Sequence, residues 1–140
     1  MVKNNANVLV KKSSESNLVF PELSHKIVGS AFKVFNSLGW GLREKEYSIA
    51  LVKELQSVGV LAEKEVFIPL EYKDERLSHY FADIIVESKI LLELKVVSRL
   101  GYVHVRQVLK YLRARNLKLG ILLYLTKDGV KYRRVLNSKL

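Results

Sequence analysis

The sequence contains no cysteine. A disulfide framework, zinc-thiolate sites and a thiol nucleophile are therefore excluded. It has no run of about 20 apolar residues, the length that a membrane-spanning helix needs. The opening stretch MVKNNANVLVKKSSESN lacks the apolar segment of a secretory signal, so a cytoplasmic protein with no membrane partner is expected. No internal repeat and no linker divides the chain. The last third is short of acids. From Arg99 to Leu140, Asp128 is the single acidic residue against 11 Lys and Arg, whereas Met1 to Ser98 carries 13 of each sign. The whole net charge of +10 thus sits at one end of the chain. A solvated surface explains a small excess, but one this large and this segregated points to a polyanion partner, nucleic acid ahead of an anionic membrane surface.

What is present suits one compact domain. A length of 140 residues, 49% of them hydrophobic, allows a core without disulfide or metal staples. Residues 1–19, rich in Asn, Ser and Lys, read as a flexible arm, and 20–140 as the domain. From Pro21, the residues Leu23, Ile27, Ala31, Val34, Phe35 and Leu38 recur at helical spacing, and Gly39 and Gly41 end the run. Arg43 to Val58 carries Tyr47, Leu51, Leu55 and Val58 on one stripe, closed by Gly59. Strands follow at Val66–Tyr72, His79–Val86 and Ile90–Val97, with a polar turn at Lys73–Arg76. A helix over Val103–Arg115, an unbroken apolar strand at Leu119–Leu125, a turn at Lys127–Gly129 and a strand at Lys131–Leu136 complete the chain. The order ααβββαββ predicts an α/β fold with a mixed central sheet flanked by helices. Leu119–Leu125 should be covered on both faces.

Three charged residues interrupt the apolar strands: Asp83 in FADIIVE, and Glu93 and Lys95 in ILLELKVV. Charge in a strand interior is costly unless it is paired or holds a cation. Whether the acids meet depends on register, because a slip of one residue reverses every side chain. A two-residue turn at Ser88-Lys89 would put Asp83 and Glu93 on opposite faces. The apolar sets Ala82, Ile84, Val86 and Ile90, Leu92, Leu94, Val96 share a face only if the loop is odd, most simply Glu87-Ser88-Lys89 with Val86 opposite Ile90. The same register sets Asp83 opposite Glu93, with Cβ atoms about 5 Å apart, and Lys95 two residues along on that face. Two carboxylates can hold a hard divalent cation, Mg2+ or alternatively Mn2+. A neighbouring ammonium can orient a water and stabilise charge at phosphorus. This is the equipment for hydrolysing a phosphodiester. A cross-strand salt bridge at a sheet end accounts for the acid–lysine pattern alone equally well.

Further motifs carry a family resemblance. Gly41-Leu42-Arg43-Glu44-Lys45-Glu46-Tyr47 matches GxxExxY, and with Ala82-Asp83, Glu93-Leu94-Lys95 and HVRQVLKYL from His104 to Leu112 the chain resembles the GxxExxY protein family of the PD-(D/E)XK nuclease superfamily from about Glu22 to Asn137. The resemblance implies a restriction-endonuclease-like core and a metal-dependent nuclease acting on DNA. It implies that Asp83, Glu93 and Lys95 form the nuclease motif, that Glu44 is a helix-borne acid facing the site and aiding metal or water, and that Gln107 and Tyr111 form a QxxxY element supporting substrate. Trp40 stands where that family has a proline, and Phe81 where a basic residue precedes the Ala-Asp pair.

The same residues have plainer explanations. Glu44 begins a helix, where the dipole favours an acid. Tyr47 falls on an apolar stripe, although its hydroxyl could bond a site carboxylate. Gln107 and Tyr111 share a helix face by i, i+4 spacing, and His104 reads as ordinary helix patterning. Arg106, Lys110, Arg113, Arg115, Lys118, Lys131, Arg133 and Arg134 are the candidate phosphate contacts, and Tyr102, Tyr124 and Tyr132 the candidate stacking residues. Two rival readings fit the chain as well: a non-catalytic nucleic-acid-binding module on a nuclease scaffold, and a protein-interaction domain, for instance a homodimer, with structural acids.

Overall fold

The computed structural model describes residues 19–97 and 101–138. The expected N-terminal arm, apart from Val19, lies outside the described residues. Helix α1 spans Pro21–Leu38 and α2 spans Glu44–Ser57. Strands β1 (Ala62–Tyr72), β2 (Glu75–Val86) and β3 (Ile90–Val96) follow, then α3 (Tyr102–Arg115), β4 (Leu119–Thr126) and β5 (Gly129–Leu136). The five strands form one sheet in the order β1-β2-β3-β4-β5. Neighbours are antiparallel except β3 and β4, which run parallel. A parallel pair needs a crossover, and α3 supplies it. The element order ααβββαββ is the expected one. Among the described residues no helix is long and apolar enough to cross a membrane.

Two apolar layers sandwich the sheet. On one face α1 and α2 bring Ile27, Ala31, Leu51 and Leu55 onto Ile84, Leu92, Leu94, Ile121 and Leu123. On the other, α3 lays Val108, Tyr111 and Leu112 over Ile85, Leu91, Leu122 and Tyr124. Every residue of β4 is buried, as its unbroken apolar run requires. Helix α3 sits so close that a Cβ at Gly120 would come within 2.5 Å of Val108 Cγ1, so glycine there is a packing requirement.

Two strands begin four residues earlier than the apolar pattern indicates. β1 opens with Ala62-Glu63-Lys64-Glu65, whose charges hide a strand on an exposed sheet edge. β2 starts at Glu75, because the turn needs only Lys73 and Asp74, with φ of 48° and 66°. That is the mirror-image geometry a tight hairpin favours. A third difference concerns Ala82, expected on the face of Ile84 and Val86. It packs instead in the α3-side layer with Ile85 and Ile68. The alternation breaks at Asp83 and its neighbour Glu65, which fall between the paired residues Lys64↔Ile84 and Val66↔Ala82. Glu65 adopts φ 50°.

Candidate active site

The hairpin of β2 and β3 has the odd loop that the apolar faces demand. Val86 pairs with Ile90, Ile85 with Leu91 and Ile84 with Leu92. Glu87 and Ser88 turn the chain at φ 52° and 56°, and Lys89 N–H closes the loop on Val86 O at 2.9 Å. Continued by one step, this register sets Asp83 against Glu93. There the backbone ladder stops. Asp83 N–H donates to Glu93 Oε2 at 2.9 Å, and Leu94 N–H donates to Asp83 Oδ2 at 2.8 Å. Each carboxylate accepts from the opposite strand's backbone, where a carbonyl would otherwise accept. The second oxygen of each accepts no hydrogen bond from the described residues.

Burial makes this pair electrostatically loaded. Glu93 is 3% exposed. Burial first, then the Asp83 carboxylate, pushes its carboxyl up to about 8, with the Asp83 N–H and Lys95 opposing. The Asp83 carboxyl is raised by burial as well, and the Glu44 and Glu65 carboxylates add to this against Leu94 N–H and Lys95. Lys95 is half-buried and makes no ion pair among the described residues. Its charge nevertheless acts on both acids.

Helix α2 delivers Glu44 through the turn before it. Gly41 takes φ 112°, which a side chain would resist. Arg43 N–H donates to Glu46 Oε1 at 2.9 Å, closing the helix start. The buried Tyr47 donates its hydroxyl to Gly39 O and accepts Leu42 N–H at 3.3 Å. That hydroxyl therefore secures the turn, and does not bond a site carboxylate. Glu44, the first helical residue, then reaches the end of β3, where its Oε2 accepts Val96 N–H at 3.1 Å. A cleft of about 200 Å³ runs beneath, lined by Glu44, Lys45, Ser48, Lys64, Glu65 and Asp83.

Helix α3 closes the opposite side. Burial, then Glu93, pushes the Tyr111 hydroxyl up to about 12; Tyr80 and Asp83 add to this, against a weaker opposing effect of the Gln107 side chain. The Tyr111 ring lies 5.1 Å from that of Tyr80. Gln107 Oε1 and His104 Nδ1 are buried without a hydrogen-bond partner. The His104 ring rests 5.8 Å from Tyr124, and burial followed by Lys95 lowers its basicity while Glu44 opposes. His104 therefore belongs to the site's electrostatic neighbourhood, which its spacing alone did not suggest. Glu65 was also missed; inside the run Glu63-Lys64-Glu65 nothing distinguishes it from an edge-strand surface charge.

The expected trio of metal carboxylates does not come together as one group. Among the described residues no three His, Asp or Glu side chains are grouped closely enough to hold a metal ion. Glu44 bonds the far end of β3 through Val96 N–H, whereas Asp83 and Glu93 bond across the same step of the β2–β3 hairpin and form the pair. Their chemistry suits a hard divalent cation: two carboxylates on adjacent strands, Glu93 buried and Asp83 half-buried, each with one oxygen that accepts no hydrogen bond from the described residues.

The basic residues divide into two groups. Arg106, Lys110, Arg113, Lys118, Lys131 and Arg133 are exposed, with Lys110 Nζ 5.5 Å above the Tyr80 ring. Arg115 is exposed too and donates to Phe67 O at 3.5 Å. Arg134 corrects the expectation of a phosphate contact. It is half-buried, donates to Ser24 Oγ and, at 2.6 Å, to Val19 O, and so ties β5 to the start of α1. Tyr124, expected as a stacking residue, is 1% exposed and part of the core.

The family model described as the PD-(D/E)XK nuclease superfamily matches the chain over residues 21–135. Among solved structures, the crystal structure of SSO0001 is similar, with a TM-score of 0.51 at 24% identity over 64% of this chain and 47% of that one. The chain thus spans about half the length of that protein, and at this identity the likeness speaks to the fold. No curated protein matches it.

Proposed function

Because this chain belongs to the PD-(D/E)XK nuclease superfamily, we propose that it is a divalent-metal-dependent nuclease hydrolysing phosphodiester bonds of nucleic acid, with DNA as the substrate that the sequence resemblance favours. The observation that carries this reading is the reciprocal insertion of Asp83 and Glu93 between two strands, with Lys95 on the same strand as Glu93. Asp83 and Glu93 would hold Mg2+ or Mn2+, which supplies Lewis-acid stabilisation at phosphorus and eases deprotonation of water. Lys95, with no ion pair of its own among the described residues, is available to orient the attacking water and stabilise the charge that develops on the phosphoryl oxygens. Glu44 sets the helix start against the end of β3 and orders the water on the cleft side. The Tyr111 hydroxyl, pushed up to about 12, stays protonated at neutral pH and would be a donor to bound substrate. Gln107 lies beside it, offering the unpartnered Oε1 to the same network. The exposed cations of α3, together with Lys118, Lys131 and Arg133, would contact phosphates without reading sequence.

The test is cleavage of plasmid and linear DNA with Mg2+ or Mn2+ by the wild type and by Lys95→Ala of verified fold. Wild-type cleavage that Lys95→Ala loses is expected. Equal activity in both, or none in either across metals and pH, overturns the enzyme reading. The rival is a non-catalytic nucleic-acid-binding module, favoured by Phe81 in place of the basic residue and by the absence of a three-carboxylate group among the described residues. Salt-steep binding without calorimetric metal uptake would select it.

A further inference from the structure

The exposed end of the β1–β2 hairpin carries rings where a soluble edge would carry charge. Phe67 and Phe81 are direct cross-strand partners, 37% and 53% exposed, with ring centroids 5.7 Å apart, edge to face. His79 stacks on Phe67 at 5.2 Å and meets Phe81 edge-on at 5.6 Å. The Arg76 guanidinium lies 5.0 Å over the Phe67 ring. Four side chains thus form one continuous π and cation surface.

Its position links it to the site. Phe67 and Phe81 lie two residues from Glu65 and Asp83 on the same strands, a displacement of about 7 Å. Val66, Ile68 and Ala82 face the α3 layer, so alternation directs Phe67 and Phe81 to the α2 side, where Glu65 and Asp83 open into the cleft. The rings therefore lie on the same side of the sheet as the cleft, one side-chain repeat beyond Glu65 and Asp83.

We propose that Phe67, His79 and Phe81 form a stacking platform for unpaired bases of the strand whose phosphodiester lies at Asp83 and Glu93. The proposal rests on the nuclease reading and deepens it, by assigning a preference for single-stranded or frayed substrate. Base faces are available to rings in a single strand and hidden in a duplex. The position of the rings two residues from the cleft residues Glu65 and Asp83, and the Arg76 cation over Phe67, favour this occupant. A second copy pairing along the edge is disfavoured. Pro69 in β1 has no N–H to donate, Glu65 lies outside the ladder, and Glu63, Lys64 and Glu71 put charge along the strand. From Ala62 to Val86 acids outnumber basic residues, so the platform contributes by stacking and not by counterion release.

The experiment is equilibrium binding of a labelled oligothymidylate of about 12 nucleotides in EDTA, with a duplex of equal length as control and a salt titration of each. Phe81→Ala should weaken single-strand binding about 5- to 150-fold, leave duplex binding unchanged and keep the salt slope. Phe81→Trp should restore affinity, and Phe67→Ala should repeat the loss. No change in Phe81→Ala, an equal loss on duplex, or a reduced salt slope overturns the platform. So does a concentration-dependent dimer that Phe81→Ala abolishes, which would assign the rings to a second copy. Because EDTA removes turnover, the two readings fail separately. Single-strand binding that needs Phe81 stands even if no preparation cleaves. Metal-dependent cleavage of single strands with unaltered KM in Phe81→Ala would sink the platform alone.

Discussion

Strands β2 and β3 are one hairpin with two differently built ends. Near the loop, Ile84, Ile85, Val86, Ile90, Leu91 and Leu92 pair regularly and are buried on both faces. One step further, Asp83 and Glu93 replace backbone acceptors with carboxylates, and the alternation of β2 breaks. The closed end supplies apolar burial at about 25 cal/mol per Å². The open end uses that rigidity to hold two carboxyl groups side by side, and Glu93 keeps its proton there up to about pH 8. The difference teaches that the site is a controlled failure of the ladder, positioned by the regular part.

The comparison breaks most heavily at the closed end. Leu92→Ala should cost about 2–5 kcal/mol of stability through the cavity it leaves. Denaturant melts check this, and cleavage per folded molecule should be retained. At the open end, Lys95→Ala should lower kcat by about 10²–10³-fold, the magnitude lost when a charge-stabilising group is removed. Single-turnover cleavage measures it.

The two ends should also differ in their response to pH. The folded carboxyl of Glu93 lies at about 8, above the ordinary 4.5, so the folded state keeps a proton that the unfolded chain releases. Its stabilising contribution is complete below pH 4.5 and is lost as pH rises through 8. Metal-free protein should therefore melt at falling temperature across that window. Glu93→Gln should flatten the profile, whereas Leu92→Ala should displace it in parallel. Adding Mg2+ should raise the melting temperature most at the alkaline end, where the carboxylates are ionised. Absence of a pH slope in the wild type would contradict the buried-pair description. The smallest effect is expected at the rim: Glu44→Ala removes the acceptor of Val96 N–H and should cost about 0.5–1.5 kcal/mol, measurable by hydrogen exchange at Val96.

The hairpin that brings Asp83 to Glu93 is legible in the sequence. The odd loop and the opposition of Asp83 and Glu93 followed from asking which register brings Ile84 and Val86 to the face of Ile90 and Leu92. The helices were readable because α1 and α2 keep a clear apolar stripe. Other features left no pattern. The start of β1 was hidden because an edge strand exposes Glu63, Lys64 and Glu65, the charges that also mark loops. Ala82 changed layers because alternation rules assume an unbroken ladder. Arg134 looked like its basic neighbours, and only the approach of Val19 and Ser24 turned it inward. His104 and Tyr124 could not be sorted into site and core from spacing, since burial depends on how closely α3 approaches β4 over Gly120.

The sequence by itself determined the element order, the register of β2 against β3 and the concentration of positive charge in the last third. These depend on local periodicity and composition, which a linear string carries in full. The tertiary structure alone decided that the carboxylates enter the ladder, that Glu44 is held on Val96 N–H, and that Phe67, His79 and Phe81 meet beside the cleft. Those outcomes depend on distances between residues far apart in the chain, set by the packing of two layers on one sheet.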